Sequence, residues 1–175
     1  MNETDLDLVL ENAEQPTKPP TFLIVLVILT LLNTGLALLG GILSFLAGKP
    51  SQKEIVDSKV ELARSIVELK KLKMDYFVDV FQKMEAINDA MYAHFMMFNL
   101  LAVFIAGIGA AGAFMMLKRM KLGFHAYIVY SFLSILSVYA FVAPVNVPSI
   151  LILTNAIFAG LFVFLYSRNL KWLTK

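Results

Sequence analysis

The stretch VFIAGIGAAGAFMM, residues 103–116, decides how this chain is read. Gly107, Gly109 and Gly112 spell G-x-G-x-x-G between two apolar runs. In a dinucleotide-binding turn such glycines let backbone approach a pyrophosphate at a helix N-terminus, and an acid about 20 residues on holds the ribose. No Asp or Glu follows Gly112 anywhere in the chain. The flanking runs also join into one stretch, residues 95–117, that carries no charge. Splitting it into strand and turn would strand polar backbone in lipid, where only helices and closed barrels satisfy their amides. As one helix, Ala102, Ala106, Gly109, Ala110 and Ala113 recur at spacings of three and four. They make a smooth face that a neighbouring backbone can approach closely. Gly40, Ser44 and Gly48 repeat the pattern earlier in the chain. The motif predicts helix packing and no nucleotide.

Composition agrees. Of 175 residues, 59% are apolar and 16% charged, against about 25% charged in an ordinary soluble domain. All 13 acids lie at or before Asp89, so residues 1–89 are net acidic and residues 90–175 purely basic. There is no cysteine, which excludes disulfides, thiolate catalysis and Cys-based metal sites. Four charge-poor runs follow the acidic tail at residues 1–20: residues 21–47, 93–117, 122–143 and 149–167. About 20 apolar residues cross a ~30 Å hydrocarbon core, so each run predicts a transmembrane helix. The first is too long, and its flank too acidic, for a cleaved signal peptide. Residues 168–175 read as a basic C-terminal tail.

The one substantial water-facing part lies between the first two spans, at residues 48–92. Ser51 and Glu54 offer a capping box, and neither Gly nor Pro occurs from Ser51 to Ala106. Val56, Val60, Ala63, Val67, Lys70, Met74, Phe77, Phe81, Met84, Asn88 and Met91 alternate spacings of four and three. That 3.5-residue period predicts one long amphipathic helix with a coiled-coil-like seam, running on toward the second span with Asn88-Asp89 as a place to bend; the alternative is a segment folded back on itself at a loose turn marked by Lys70-Lys71. The expected fold class is therefore an all-α membrane protein of four transmembrane helices with a long amphipathic helical insertion.

Candidate chemistry is sparse. His94 and His125 fall at opposite ends of a helical hairpin, roughly 35 Å apart at 1.5 Å per residue, and read as interfacial anchors rather than ligands. Asp75 and Asp79, flanked by Lys71 and Lys83, read as a charge-paired solvated face. No paired acids, H-E-x-x-H or Ser with a base in reach is visible, so the expectation is no catalytic, cofactor-binding or metal site. Asn33, Asn99 and Asn155 lie inside three different spans. Interhelical hydrogen bonding is the ordinary reading of such residues, and a shared hydrated path the sharper one. Ser131, Ser134, Ser137 and Thr154 are explained by back-bonding to helix carbonyls. Lys118, Arg119, Lys121, Arg168, Lys171 and Lys175 fix topology and can meet anionic headgroups. The alternating charges of the insertion argue against nucleic acid.

The run-in Pro19-Pro20-Thr21-Phe22-Leu23, the turn Lys121-Leu122-Gly123-Phe124 followed by Tyr127, and the segment Asn169-Leu170-Lys171 resemble a loosely defined group of small bacterial four-span membrane proteins. The resemblance implies an inner-membrane location and carries no activity. The expectation for function is a non-enzymatic scaffold or accessory subunit acting through helix–helix association. The alternative is a small transporter or channel component with a polar path near Asn33, Asn99 and Asn155. Expected partners are the bilayer and, through the amphipathic helix, a second copy or another membrane protein. The basic turn near residues 118–121 places both termini in the cytoplasm.

Overall fold

The computed structural model describes residues 18–174; the acidic stretch at residues 1–17 lies outside the described residues. Six α-helices form in chain order: α1 Thr21–Ala47, α2 Gln52–Lys71, α3 Asp75–Ala93, α4 Phe95–Leu117, α5 Lys121–Leu136 and α6 Ser149–Ser167. Four stretches, Thr21–Ala47, Phe95–Leu117, Lys121–Ala140 and Ser149–Ser167, are long and apolar enough to cross a membrane. These belong to a multi-pass membrane architecture. Their outward faces expose Leu32, Leu36, Phe104, Phe132 and Phe164, a surface suited to lipid rather than water. The third span is shorter than the sequence suggests. Its α-helix ends at Leu136 and tightens to a 3₁₀ turn over Ser137–Ala140.

Glycine sets the closest packing. A Cβ on Gly123 would lie 2.6 Å from the Gly112 carbonyl oxygen, so α4 and α5 touch backbone to backbone. Gly109 lies flat against the Tyr130 ring. Ala106, Gly109, Gly112 and Ala113 are all buried, whereas Gly107 faces open space. The expected stripe on α1 needs correction: Gly40 has nothing beside it, and the contact is Gly41 against Val103. Gly48, with φ 79°, instead ends α1 by turning the chain.

The insertion also departs from expectation. It is two helices, not one. Residues 72–74 break the helix with Lys73 at φ 57°, and the Met74 and Lys73 amides donate to the Leu69 and Lys70 carbonyls, a Schellman pattern. α2 then packs on α3, tied by Lys59–Asp89 at 2.7 Å and by Tyr92 donating to Ser58. The reason is a second apolar stripe on α2. Ile55, Leu62, Ile66 and Leu69 also follow a 3.5-residue period, and they, not the valines beside them, turn inward. The Ser51–Glu54 capping box opens α2 as expected. The bend before the second span falls at His94, not at Asn88; His94 and Phe98 keep their helical amide bonds through it.

The core lies at one end of the bundle. Leu23, Leu26 and Val27 from α1, Ala113 and Met116 from α4, Tyr127 from α5 and Tyr166 from α6 close around Trp172 and Leu173. Residues 168–173 are thus not a free basic tail. Asn169 donates to the Leu165 carbonyl, a 3₁₀ turn spans Leu170–Trp172, and Arg119 stacks 4.1 Å over the Trp172 ring. Arg119, at φ 65°, holds the tight α4–α5 turn.

Candidate intramembrane cleft

Away from that core, α6 parts from its neighbours. Tyr166 is the one buried residue of α6, near its C-terminal end. There it shares a hydrogen bond of 2.8 Å with Thr30 of α1 and packs its ring 4.6 Å from that of Tyr127. At the other end Val142, Val147 and Pro148 are buried and hold the loop that leads into α6. Pinned at both ends, α6 leaves a cleft of about 400 Å³ between itself, α1 and α5.

The cleft walls are mixed. Leu29, Phe158 and Phe162 supply apolar surface; Thr30, Asn33, Tyr130, Ser131, Ser134 and Asn155 supply hydroxyls and amides. Asn33 Nδ2 donates to the Tyr130 hydroxyl at 3.1 Å, a bond that crosses from α1 to α5 within the wall. Ser131 and Asn155 return a bond to their own helices, at the Tyr127 and Leu151 carbonyls. Every titratable group in the wall is a tyrosine; the spans that line it carry no Asp, Glu, Lys or Arg at this depth. Such a wall offers neutral donors and acceptors and no proton relay of carboxylates.

Of the three asparagines, the structure brings two together. Asn33 and Asn155 share the cleft, whereas Asn99 donates to the Phe95 carbonyl of its own helix and lies outside it. His94 rests against Phe141, ring centroids 5.8 Å apart, and His125 Nδ1 lies 3.0 Å from the Lys121 carbonyl oxygen in the first turn of α5. The two histidines are on different elements at opposite ends of the α4–α5 hairpin. Lys83 pairs with Asp79 at 2.8 Å along α3. Among the described residues no group of three or more His, Asp or Glu is arranged to hold a metal ion.

Sequence reasoning missed Thr30, Tyr130 and Tyr166. A threonine or tyrosine within a span carries no distinctive pattern, but Tyr127, Tyr130 and Ser131 fall at spacings of three and four on α5, and that was the available signal. A second opening of about 530 Å³ runs between α3 and α6, lined by Val80, Met84, Ile87, Pro148, Ile150 and Asn155 among others. Asn155 therefore lines both openings. Compared with protein-family models, curated proteins and solved structures, the chain matches none.

Proposed function

We propose that this is a non-enzymatic scaffold or accessory subunit, with a transmembrane helix of another membrane protein packing across the mouth of the cleft and inserting side chains into it. The observation that carries the reading is the stand-off of α6: one buried residue, and a cleft lined by neutral hydroxyls and amides beside it. Lipid tails offer nothing to Asn155 or Ser134, whereas a helix bearing a hydroxyl or amide does. Gly160 and Ala156, spaced by four on α6, add a strip where a helix backbone can come close; nothing lies within 4 Å of a Cβ built on Gly160. The basic residues Lys118, Arg119, Lys121, Arg168 and Lys171 cluster at the core end of the bundle, which supports placing that end, with both termini, on the cytoplasmic side of a bacterial inner membrane.

Photo-crosslinkable residues at Asn155, Phe158 and Phe162, which line the cleft, test the reading against Leu153, Ile157 and Phe164, which do not. The expected result is one discrete membrane-protein adduct from the cleft positions only. Equal labelling of both sets, or lipid adducts alone, overturns it. The transporter reading draws on Asn33 and Asn155 sharing one wall, and Asn99 weakens it by turning away. Ready reaction of Ser134→Cys with a water-soluble maleimide would move the balance to that reading.

A further inference from the structure

Leu72, Tyr76 and Phe77, at the outer tip of the α2–α3 hairpin, are 68%, 57% and 45% exposed. The two rings pack edge to face with centroids 5.5 Å apart, so they make one surface. Left in water, these side chains forfeit their transfer free energy. What covers them depends on where the hairpin lies.

α3 leaves α4 at His94, yet Val80, Met84 and Ile87 line an opening with Pro148, Ile150 and Leu151. Those last three stand at the start of the fourth span, Ser149–Ser167. α3 therefore runs across the end of the bundle, at the level where that span begins, instead of projecting away. Phe77 shares the α3 face that meets α6, since Phe77, Val80, Met84 and Ile87 are spaced three, four and three. It lies roughly 4.5 Å outboard of Val80 at 1.5 Å per residue. The apolar face thus runs on past its contact with α6 at the same depth, and there Phe77 is left uncovered. A water-facing protein would have to enter the headgroup layer to reach it.

The charges agree with lipid. At 3.6 residues per turn, Asp75, Asp79 and Asp89 fall on the side of α3 opposite Phe77, Val80 and Met84, while Tyr76 and Lys83 border that face. Asp79 and Asp89 are also paired, with Lys83 and Lys59. Lys70, Lys71 and Lys73 crowd the turn, and no acid falls between Glu68 and Asp75. Aromatic side chains on one face, acids turned away and lysines at the rim make up a helix that lies in the headgroup layer.

We propose that the hairpin tip is a lipid-binding foot. Tyr76 and Phe77 of α3, with Leu72 of the turn, sit at the headgroup–acyl boundary of the membrane that the spans cross. Lys70, Lys71 and Lys73 select anionic phospholipid there; each lysine held near an anionic surface favours docking roughly five-fold. This contact goes beyond the cleft reading and uses no residue of the cleft, so each can fail alone.

The chain has no cysteine, so a single introduced cysteine reports one site in the reconstituted full chain. In vesicles of equal parts phosphatidylglycerol and phosphatidylcholine, an apolar fluorophore on Phe77→Cys is expected to be quenched by nitroxide lipids and shielded from iodide. A fluorophore on Gln82→Cys, on the opposite face of α3, is expected to show the reverse. Pure phosphatidylcholine is expected to lower the lipid quenching at Phe77→Cys at least three-fold. Lys70→Gln, Lys71→Gln and Lys73→Gln together are expected to do the same in the mixed vesicles. Arginine at the same three positions is expected to keep the quenching, which separates lost charge from lost fold. Iodide access at both positions, which signals a tip in water, overturns the proposal. So does shielding of Phe77→Cys from iodide and nitroxide lipids alike, which signals a second copy or another protein, or quenching indifferent to phosphatidylglycerol and to the lysines.

Discussion

Replacing Gly123 by alanine should damage the bundle more than any other single methyl added to a glycine of α4 or α5. The new Cβ would lie 2.6 Å from the Gly112 carbonyl oxygen, 2.7 Å from the Met116 amide nitrogen and 2.8 Å from the Met115 Cβ. Carbon contacts settle near 3.5–4.0 Å, so the helices must part by roughly 0.7 Å or more. Two of the three atoms are helix backbone and cannot rotate aside. Overpacking of this kind costs about 1–3 kcal/mol. Gly112→Ala meets the Gly123 oxygen at 2.9 Å and the Tyr127 nitrogen at 3.0 Å, and should fall at the lower end of that range. Gly107→Ala meets nothing within 4 Å and gains up to about 1 kcal/mol of helix propensity. Reversible unfolding in mixed micelles, followed through Trp172, the only tryptophan, measures all three. Trp172 sits in the core at the same end of the bundle as Gly123. The packing account fails if Gly123→Ala unfolds with wild-type stability, or if Gly107→Ala loses more than Gly123→Ala does.

Four further outcomes follow from named contacts. Thr30→Val and Tyr166→Phe each remove one side of a 2.8 Å buried hydrogen bond, and their double-mutant cycle in micelles should show coupling of about 0.6 kcal/mol, with about 1.7 as a ceiling. Lys73→Gly relieves a left-handed backbone that costs a non-glycine residue roughly 1–2 kcal/mol, so amides around the α2–α3 turn should exchange more slowly, while Lys73→Val speeds them. The Ser51 side chain and amide both donate to Glu54 and hold its carboxyl below the usual range. That contribution to the α2 N-terminus is complete at neutral pH and is lost as pH falls through the lowered pKa; Ser51→Ala should flatten the acid limb of amide exchange there. The Asp89 carboxylate raises the Lys59 ammonium pKa, so the hairpin tie holds below the ordinary lysine range and is lost only as pH climbs past the raised value. Asp89→Asn should abolish that alkaline dependence.

The spans were legible because lipid imposes length and the absence of charge, and both are countable in sequence. The expected first span ends at the residues where α1 begins and stops. The glycine motif was legible as a packing face because Ala106, Gly109 and Ala113 recur at helical spacing, and all three are buried. The hairpin was not. α2 carries two apolar stripes side by side, Val56-Val60-Val67 and Ile55-Leu62-Ile66, and periodicity alone does not say which one turns inward. The break was marked only faintly, by Lys70-Lys71, since Lys73 adopts a left-handed conformation that sequence usually marks with glycine. The same substitution of a basic residue for glycine hides at Arg119. The cleft depends on how far α6 stands from α1 and α5, a tertiary distance that no pattern within one helix records.

The joining of Leu23 and Leu173 in one cluster has a consequence for biosynthesis. A ribosome adding about 5–20 residues per second needs on the order of ten seconds to travel from one to the other. For that interval α1 sits in the bilayer without Tyr166, Trp172 or Leu173, the groups that close its inner face. Thr34 returns its hydroxyl to the Thr30 carbonyl within α1, so that polar group waits satisfied without any partner helix. Thr30 meets the Tyr166 hydroxyl only once α6 is made. Closure of this face of the bundle therefore follows synthesis of residues 166–173, and a ribosome stalled before Trp172 leaves α1 with an unfinished face.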